Sequence, residues 1–131
     1  MAIITGDFET AYDQQYSLRK MSTAEYILDP RFQTIMLALK INNGPSEVFL
    51  GHDAIARRLA EVDWENAAWC SHHTNFDGAI LAWRYGITPA MYLDTLSMAR
   101  ATTHWVLGRS SLEKVSDYLG LPPKGDRKSV V

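Results

Sequence analysis

Asp7-Phe8-Glu9 sets two carboxylates at positions i and i+2. In an extended strand such side chains leave by the same face, while Phe8 between them turns into a core. Two anions held that close repel, and a cation between them relieves the repulsion; all-oxygen donors favour Mg2+ or Mn2+. A solvated turn at a strand end is the plainer reading of the tripeptide alone. A second group, His72-His73-Thr74-Asn75-Phe76-Asp77, lies where a strand gives way to a helix. The helix dipole alone would favour a carboxylate at Asp77 in the first turn. It does not account for the His and Asn directly before it, at the carboxyl end of a strand, where open α/β sheets bind ligands. Cys70-Ser71-His72-His73 is a poor zinc site, because the chain holds no second cysteine. Cys70 itself falls in an apolar strand, where thiols are usually inert.

The elements that must position these groups can be read along the chain. Ala2-Ile3-Ile4 runs into Asp7–Thr10 as one strand with carboxylates at its end. A short helix over Thr23–Leu28 is closed by Pro30. Phe32 to Ile41 reads as a central strand, Asn42-Asn43-Gly44-Pro45 as a turn, and Glu47–Leu50 as the return strand. Asp53 is expected to N-cap a helix with the stripe Ile55, Leu59 and Val62. Ala67–Ser71 is a buried strand; Asn75 or Thr74 would cap a helix from Asp77 to Tyr85 that stops at Gly86. Met91-Tyr92-Leu93 is a further strand, after which Asp94 or Thr95 caps a helix through Met98 and Ala101. Ser110 or Ser111 opens a last helix with Leu112, Val115 and Leu119 on one side, ended by Gly120. Three early strands, then alternating helices and strands, predict an α/β fold with a mixed sheet flanked by helices.

The chain has 131 residues, 47% hydrophobic and 21% charged, which fits one folded domain and argues against disorder. Lys and Arg total 13 against 15 Asp and Glu, a net charge of −2, so bulk charge is a poor means of coating duplex DNA. No apolar run reaches the roughly 20 residues that span a bilayer. The N-terminus turns acidic too soon for a secretory signal, and the single cysteine forms no internal disulfide; a cytoplasmic location is expected.

Taken in order, several segments resemble a known family. Asp7-Phe8-Glu9-Thr10 is similar to the first motif of the DEDD 3′–5′ exonucleases, and His73-Thr74-Asn75-Phe76-Asp77 to the second. Tyr16–Met21, Glu25–Phe32, Phe76–Leu81 and Leu93–Arg100 extend the resemblance to about Gly125. It lies closest to the proofreading exonuclease domain of phage-type family A DNA polymerases. The resemblance implies a ribonuclease-H-like fold and a two-metal phosphodiester hydrolysis, with Mg2+ or Mn2+ ions roughly 3.5–4 Å apart. By position, Asp7 would bridge both metals, Glu9 would bind the water-activating one, and Asp77 would hold the second. Thr10 matches a contact to the terminal nucleotide, and His73 stands where the family usually has Asn, with Asn75 two residues on.

The family's third motif, Tyr-x-x-x-Asp or His-x-x-x-Asp on a final helix, has no counterpart after Gly120; Asp126 has Pro122 four residues before it. The expectation is therefore one exonuclease-like domain over 1–131, C-terminally truncated, with about 121–131 a flexible tail. Such a chain would be weak or inactive alone on single-stranded DNA 3′ ends. It would be completed by a polymerase or another chain that supplies the third motif, and an uncovered apolar strip would favour self-association. Two alternatives stand beside this reading: a catalytically silent exonuclease-fold binding or interaction module, and a fragment without a role of its own.

Overall fold

The computed structural model describes residues 1–109 and 111–122. Its central element is β1 (Ala2–Thr10), whose alternation sends Ile4, Gly6 and Phe8 inward and leaves Ile3, Thr5, Asp7 and Glu9 exposed. β1 pairs antiparallel with β2 (Thr34–Ile41), from Ile4↔Ile41 to Thr10↔Thr34, with an irregularity between Glu9 and Thr10. β2 returns through a turn at Asn42 into β3 (Ser46–Leu50). Asn42 locks that turn to β1: its N–H donates to the Ile3 carbonyl at 2.8 Å, and its Oδ1 accepts the Ile3 N–H at 2.8 Å. β4 (Ala67–Ser71) runs parallel to β1, and β5 (Met91–Asp94) parallel to β4, which completes the order β3-β2-β1-β4-β5.

Three α-helices accompany this sheet within the unit Met1–Asp94: α1 (Thr23–Leu28), α2 (His52–Ala60) and α3 (Thr74–Tyr85). α2 lies against β2 and β3, whereas α3 contacts β1, β4, β5 and α1. The core they enclose contains Ile4, Phe8, Leu37, Leu39, Trp69, Ile80 and Leu81. Trp69 is fully buried and occupies the gap that Gly6 leaves between Ile4 and Phe8. A Cβ on Gly6 would lie 2.1 Å from the Trp69 ring, so only glycine fits the strand there. The indole N–H donates to Ser71 Oγ at 3.0 Å, which satisfies its one buried donor.

A second unit begins at Thr95. It holds α4 (Thr95–Thr102), α5 (His104–Leu107) and α6 (Leu112–Tyr118). α4 stops where the Thr103 hydroxyl donates to the Ala99 carbonyl at 2.9 Å. α6 is capped by Ser111, whose Oγ accepts the Lys114 N–H at 3.3 Å. Among the described residues no helix is long and apolar enough to cross a membrane.

Several expectations need correction. Asp53 does not cap α2. Gly51 precedes the helix at φ 83 with its N–H on the Ile35 carbonyl, and Asp53 lies inside the first turn. Neither Asn75 nor Thr74 caps α3; the cap is His73 at φ 76, and both residues lie within the helix. The sequence gives no sign of the one-turn helix α5, and the stripe of α6 is only partly covered: Val115 is half-buried, whereas Leu112 and Leu119 are exposed. Most of the expected tail, and the alternative cap Ser110, fall outside the described residues.

Candidate active site

Asp7 and Glu9 stand two residues apart on the exposed face of β1. Their partners across the ladder are Ala38 and Met36, so β2 sets no cation opposite either carboxylate. Neither belongs to any of the ion pairs found among the described residues. Asp77 comes to them from α3 and is only 4% exposed. The reason lies in the sheet. β4 pairs with β1 only as far as Thr5↔Cys70, and beyond it the Phe8 N–H has no strand partner on that side. Asp77 Oδ1 accepts this N–H at 3.1 Å. A side chain from the helix thereby continues the hydrogen bonding where the parallel strand has ended.

The electrostatics of the three groups follow from this placement. Burial raises the Asp77 carboxyl from its ordinary 3.8 to about 7; the Phe8 N–H opposes the rise, and the charges of Asp7 and Glu9 add to it. This is a buried acid facing two further acids, and among the described residues no ion pair joins any of the three to a cation. Among the described residues no group of three or more His, Cys, Asp or Glu side chains is gathered closely enough to hold a metal ion. The donor chemistry nevertheless fits a hard divalent cation, because all three groups are carboxylates and the charges of Asp7 and Glu9 act together on Asp77.

Beside Glu9 opens a cleft of about 830 Å³, lined among others by Thr10, Tyr12, Leu18, Arg19 and Lys20. Its wall is built by aromatic packing. Tyr16 stacks on Tyr26 with ring centroids 4.5 Å apart, and the Tyr16 hydroxyl donates to the Tyr26 carbonyl. The Tyr26 hydroxyl shares a hydrogen bond with Thr10 Oγ1 at 2.8 Å and donates to the Ala11 carbonyl at 2.7 Å. Asp13 Oδ1 accepts the N–H groups of Gln15 and Tyr16, turning the chain toward Arg19 and Lys20. Phe76 is half-buried, packs against the core and also lines the cleft.

Of the candidate residues, the structure thus brings Asp7, Glu9 and Asp77 into one electrostatic group and puts Thr10 in the adjoining cleft. His73 and Asn75 are exposed at the start of α3 and are not among the residues lining that cleft. Arg19 and Lys20, which line the cleft, were not singled out from the sequence; a basic pair ten residues after an Asp-x-Glu strand was the available signal. Cys70 is half-buried, and burial raises its thiol pKa, consistent with an inert sulfur.

No protein-family model matches the chain, and no curated protein matches it in sequence. Solved structures do match. Brucella melitensis NrnC with bound Mg2+ superposes with a TM-score of 0.66 at 16% identity, over 95% of this chain and 56% of NrnC. NrnC bound to pGG gives 0.67 at 17% identity, over 95% and 55%. One chain in the structure of the yeast NOT1 MIF4G domain co-crystallized with CAF1 gives 0.63 at 15% identity, over 92% and 69%. The family B DNA polymerase of Pyrobaculum calidifontis gives 0.60 at 16% identity, over 93% of this chain and 18% of the polymerase. The chain spans little more than half the length of NrnC. At these identities the likeness establishes the fold: α/β and ribonuclease-H-like, a five-stranded mixed sheet flanked by helices.

Proposed function

We propose that this chain carries the site of a metal-dependent 3′–5′ exonuclease of the proofreading type, acting on single-stranded DNA 3′ ends. One observation carries the reading: the Phe8 N–H fixes buried Asp77 beside the exposed pair Asp7 and Glu9, at the edge of an open cleft. Asp7, Glu9 and Asp77 would hold Mg2+ or Mn2+, and the fold neighbour NrnC is a structure with bound Mg2+. Such ions, when bound, supply charge neutralisation and Lewis-acid activation for phosphodiester hydrolysis. Phe8 keeps Asp77 oriented through its N–H and anchors β1 through a ring stacked on Trp69 and Tyr85. Thr10 and the cleft receive the terminal nucleotide, and Arg19 and Lys20 balance its phosphates. His73 and Asn75 present polar groups at the start of α3 for the next phosphate. In this reading the lineage is that of a phage polymerase.

A 5′-labelled single-stranded oligonucleotide incubated with the protein and Mn2+ tests this. The expected result is a ladder shortened from the 3′ end that Asp7→Ala abolishes. Identical ladders from both proteins, or none from either, would overturn it for this chain.

A second reading, a catalytically silent exonuclease-fold binding module, is favoured by one observation. Among the described residues no three potential ligands are gathered to hold a metal ion. It predicts measurable binding to DNA or a protein without metal-dependent cleavage.

A further inference from the structure

The Asp94 carboxylate lies at the end of β5, in register with Ser71 at the end of β4. Its Oδ1 accepts the backbone N–H of His73 at 2.9 Å, across 21 positions of sequence. His73 is the residue that needs such a restraint. It caps α3 at φ 76 and ψ 66, a left-handed conformation that a side chain with a Cβ disfavours. The following residue is tied to the same strand, since Thr74 Oγ1 donates to the Leu93 carbonyl at 3.0 Å and shares a bond with Ser71 Oγ at 3.0 Å. The last two residues of β5 therefore hold the first two positions of the turn that launches α3. Asp77 follows within the first helical turn, and its direction is set by where that turn starts, because each helical residue rotates the side chain by about 100°.

We propose that Asp94 is a positioning residue of this site: through the backbone of His73 it sets the start of α3 and hence the reach of Asp77 to Phe8. The proposal rests on the reading of Asp77 as a site carboxylate. It assigns to Asp94 the role of a hydrogen-bond acceptor rather than that of a charge or a ligand. Two substitutions separate these roles. Asp94→Asn keeps an Oδ1 acceptor and removes the charge, whereas Asp94→Ala removes both. His73→Gly removes the steric cost of the left-handed turn, so the turn no longer depends on its restraint.

The test follows hydrogen exchange of the Phe8 amide by NMR in metal-free protein, with Mn2+-dependent oligonucleotide cleavage alongside. In wild type, the bond to Asp77 is expected to protect that amide. Asp94→Ala is expected to lower its protection and the cleavage rate by about tenfold, the scale of one hydrogen bond to a charged group. Asp94→Asn is expected to stay within about threefold of wild type in both, on the same scale. In a His73→Gly background, adding Asp94→Ala is expected to cost less than about threefold, because the strain it restrained is gone. An Asp94→Asn protein with Phe8 protection as low as that of Asp94→Ala overturns the proposal, and so does a full tenfold loss in the glycine background. Should Asp94→Ala not fold, Asp94→Asn decides by the same comparison with wild type. If wild type does not cleave, the nuclease reading fails while the Phe8 amide still decides the positioning role.

Discussion

Phe8 and Asp77, 69 residues apart, are joined by a 3.1 Å hydrogen bond from the Phe8 N–H to Asp77 Oδ1. Phe8 thereby links the halves of the candidate site: its neighbours Asp7 and Glu9 face outward, and its own amide fixes the third carboxylate.

The burial that raises Asp77 to about 7 makes stability depend on pH. Between about pH 4 and pH 7 the unfolded chain gives up this proton while the folded chain keeps it. The folded state then binds more protons, so stability falls as pH rises through that window, by up to ~4 kcal/mol once it has been crossed. Asp77→Asn removes this contribution while keeping an Oδ1 acceptor for the Phe8 N–H. Thermal scans in metal-free buffer should show the variant gaining on wild type from pH 4 to pH 7. At pH 7.5, Mn2+ should raise the melting temperature of wild type and leave that of the variant nearly unchanged.

Gly6→Ala forces a Cβ to within 2.1 Å of the buried Trp69 ring. Neither partner has room to retreat, because the indole is fully buried and its N–H is held by Ser71. The variant should lose about 3 kcal/mol or more in urea unfolding, the upper range for overpacking a strand against a core. Loss below about 0.5 kcal/mol would show that Trp69 does not fill the gap over Gly6.

Arg19 and Lys20 line the cleft without entering the carboxylate group. The double substitution Arg19→Gln and Lys20→Gln should raise KM for single-stranded DNA and leave kcat within about threefold, because it removes phosphate binding rather than chemistry. The difference between variant and wild type should shrink as salt is raised. A fall in kcat at unchanged KM would contradict this placement.

Tyr26 supports the wall of that cleft through its hydroxyl, bonded to Thr10 and Ala11. Tyr26→Phe leaves both partners short of one bond and should cost about 1–2 kcal/mol in denaturant unfolding. Changes of that size without loss of secondary structure by circular dichroism would fit a local wall.

Much of the frame was legible in local sequence. Ala67–Ser71 and Thr23–Leu28 were read with the bounds the structure has, because apolar run length and Pro30 mark them directly. The alternation that exposes Asp7 and Glu9 is equally local. The helix starts were not legible in the same way. α2 begins from Gly51 at positive φ, and α3 from a left-handed His73 whose restraint, Asp94, is 21 residues away. The side chains expected to cap them, Asp53, Thr74 and Asn75, instead lie inside the helices. Likewise the bond of Asp77 to Phe8 depends on where β4 stops pairing with β1, which no short window records. Arg19 and Lys20 reach the cleft only through a loop shaped by Asp13 and the Tyr16–Tyr26 stack.

We propose that Asp7, Glu9 and Asp77 act together as one divalent-cation site. Calorimetric titration of Mn2+ into the protein at pH 7.5 tests it most directly, with wild type compared against Glu9→Ala and Asp77→Asn. Saturable binding to wild type that each substitution abolishes is the expected result. Binding that survives both substitutions, or no binding to wild type, would contradict it.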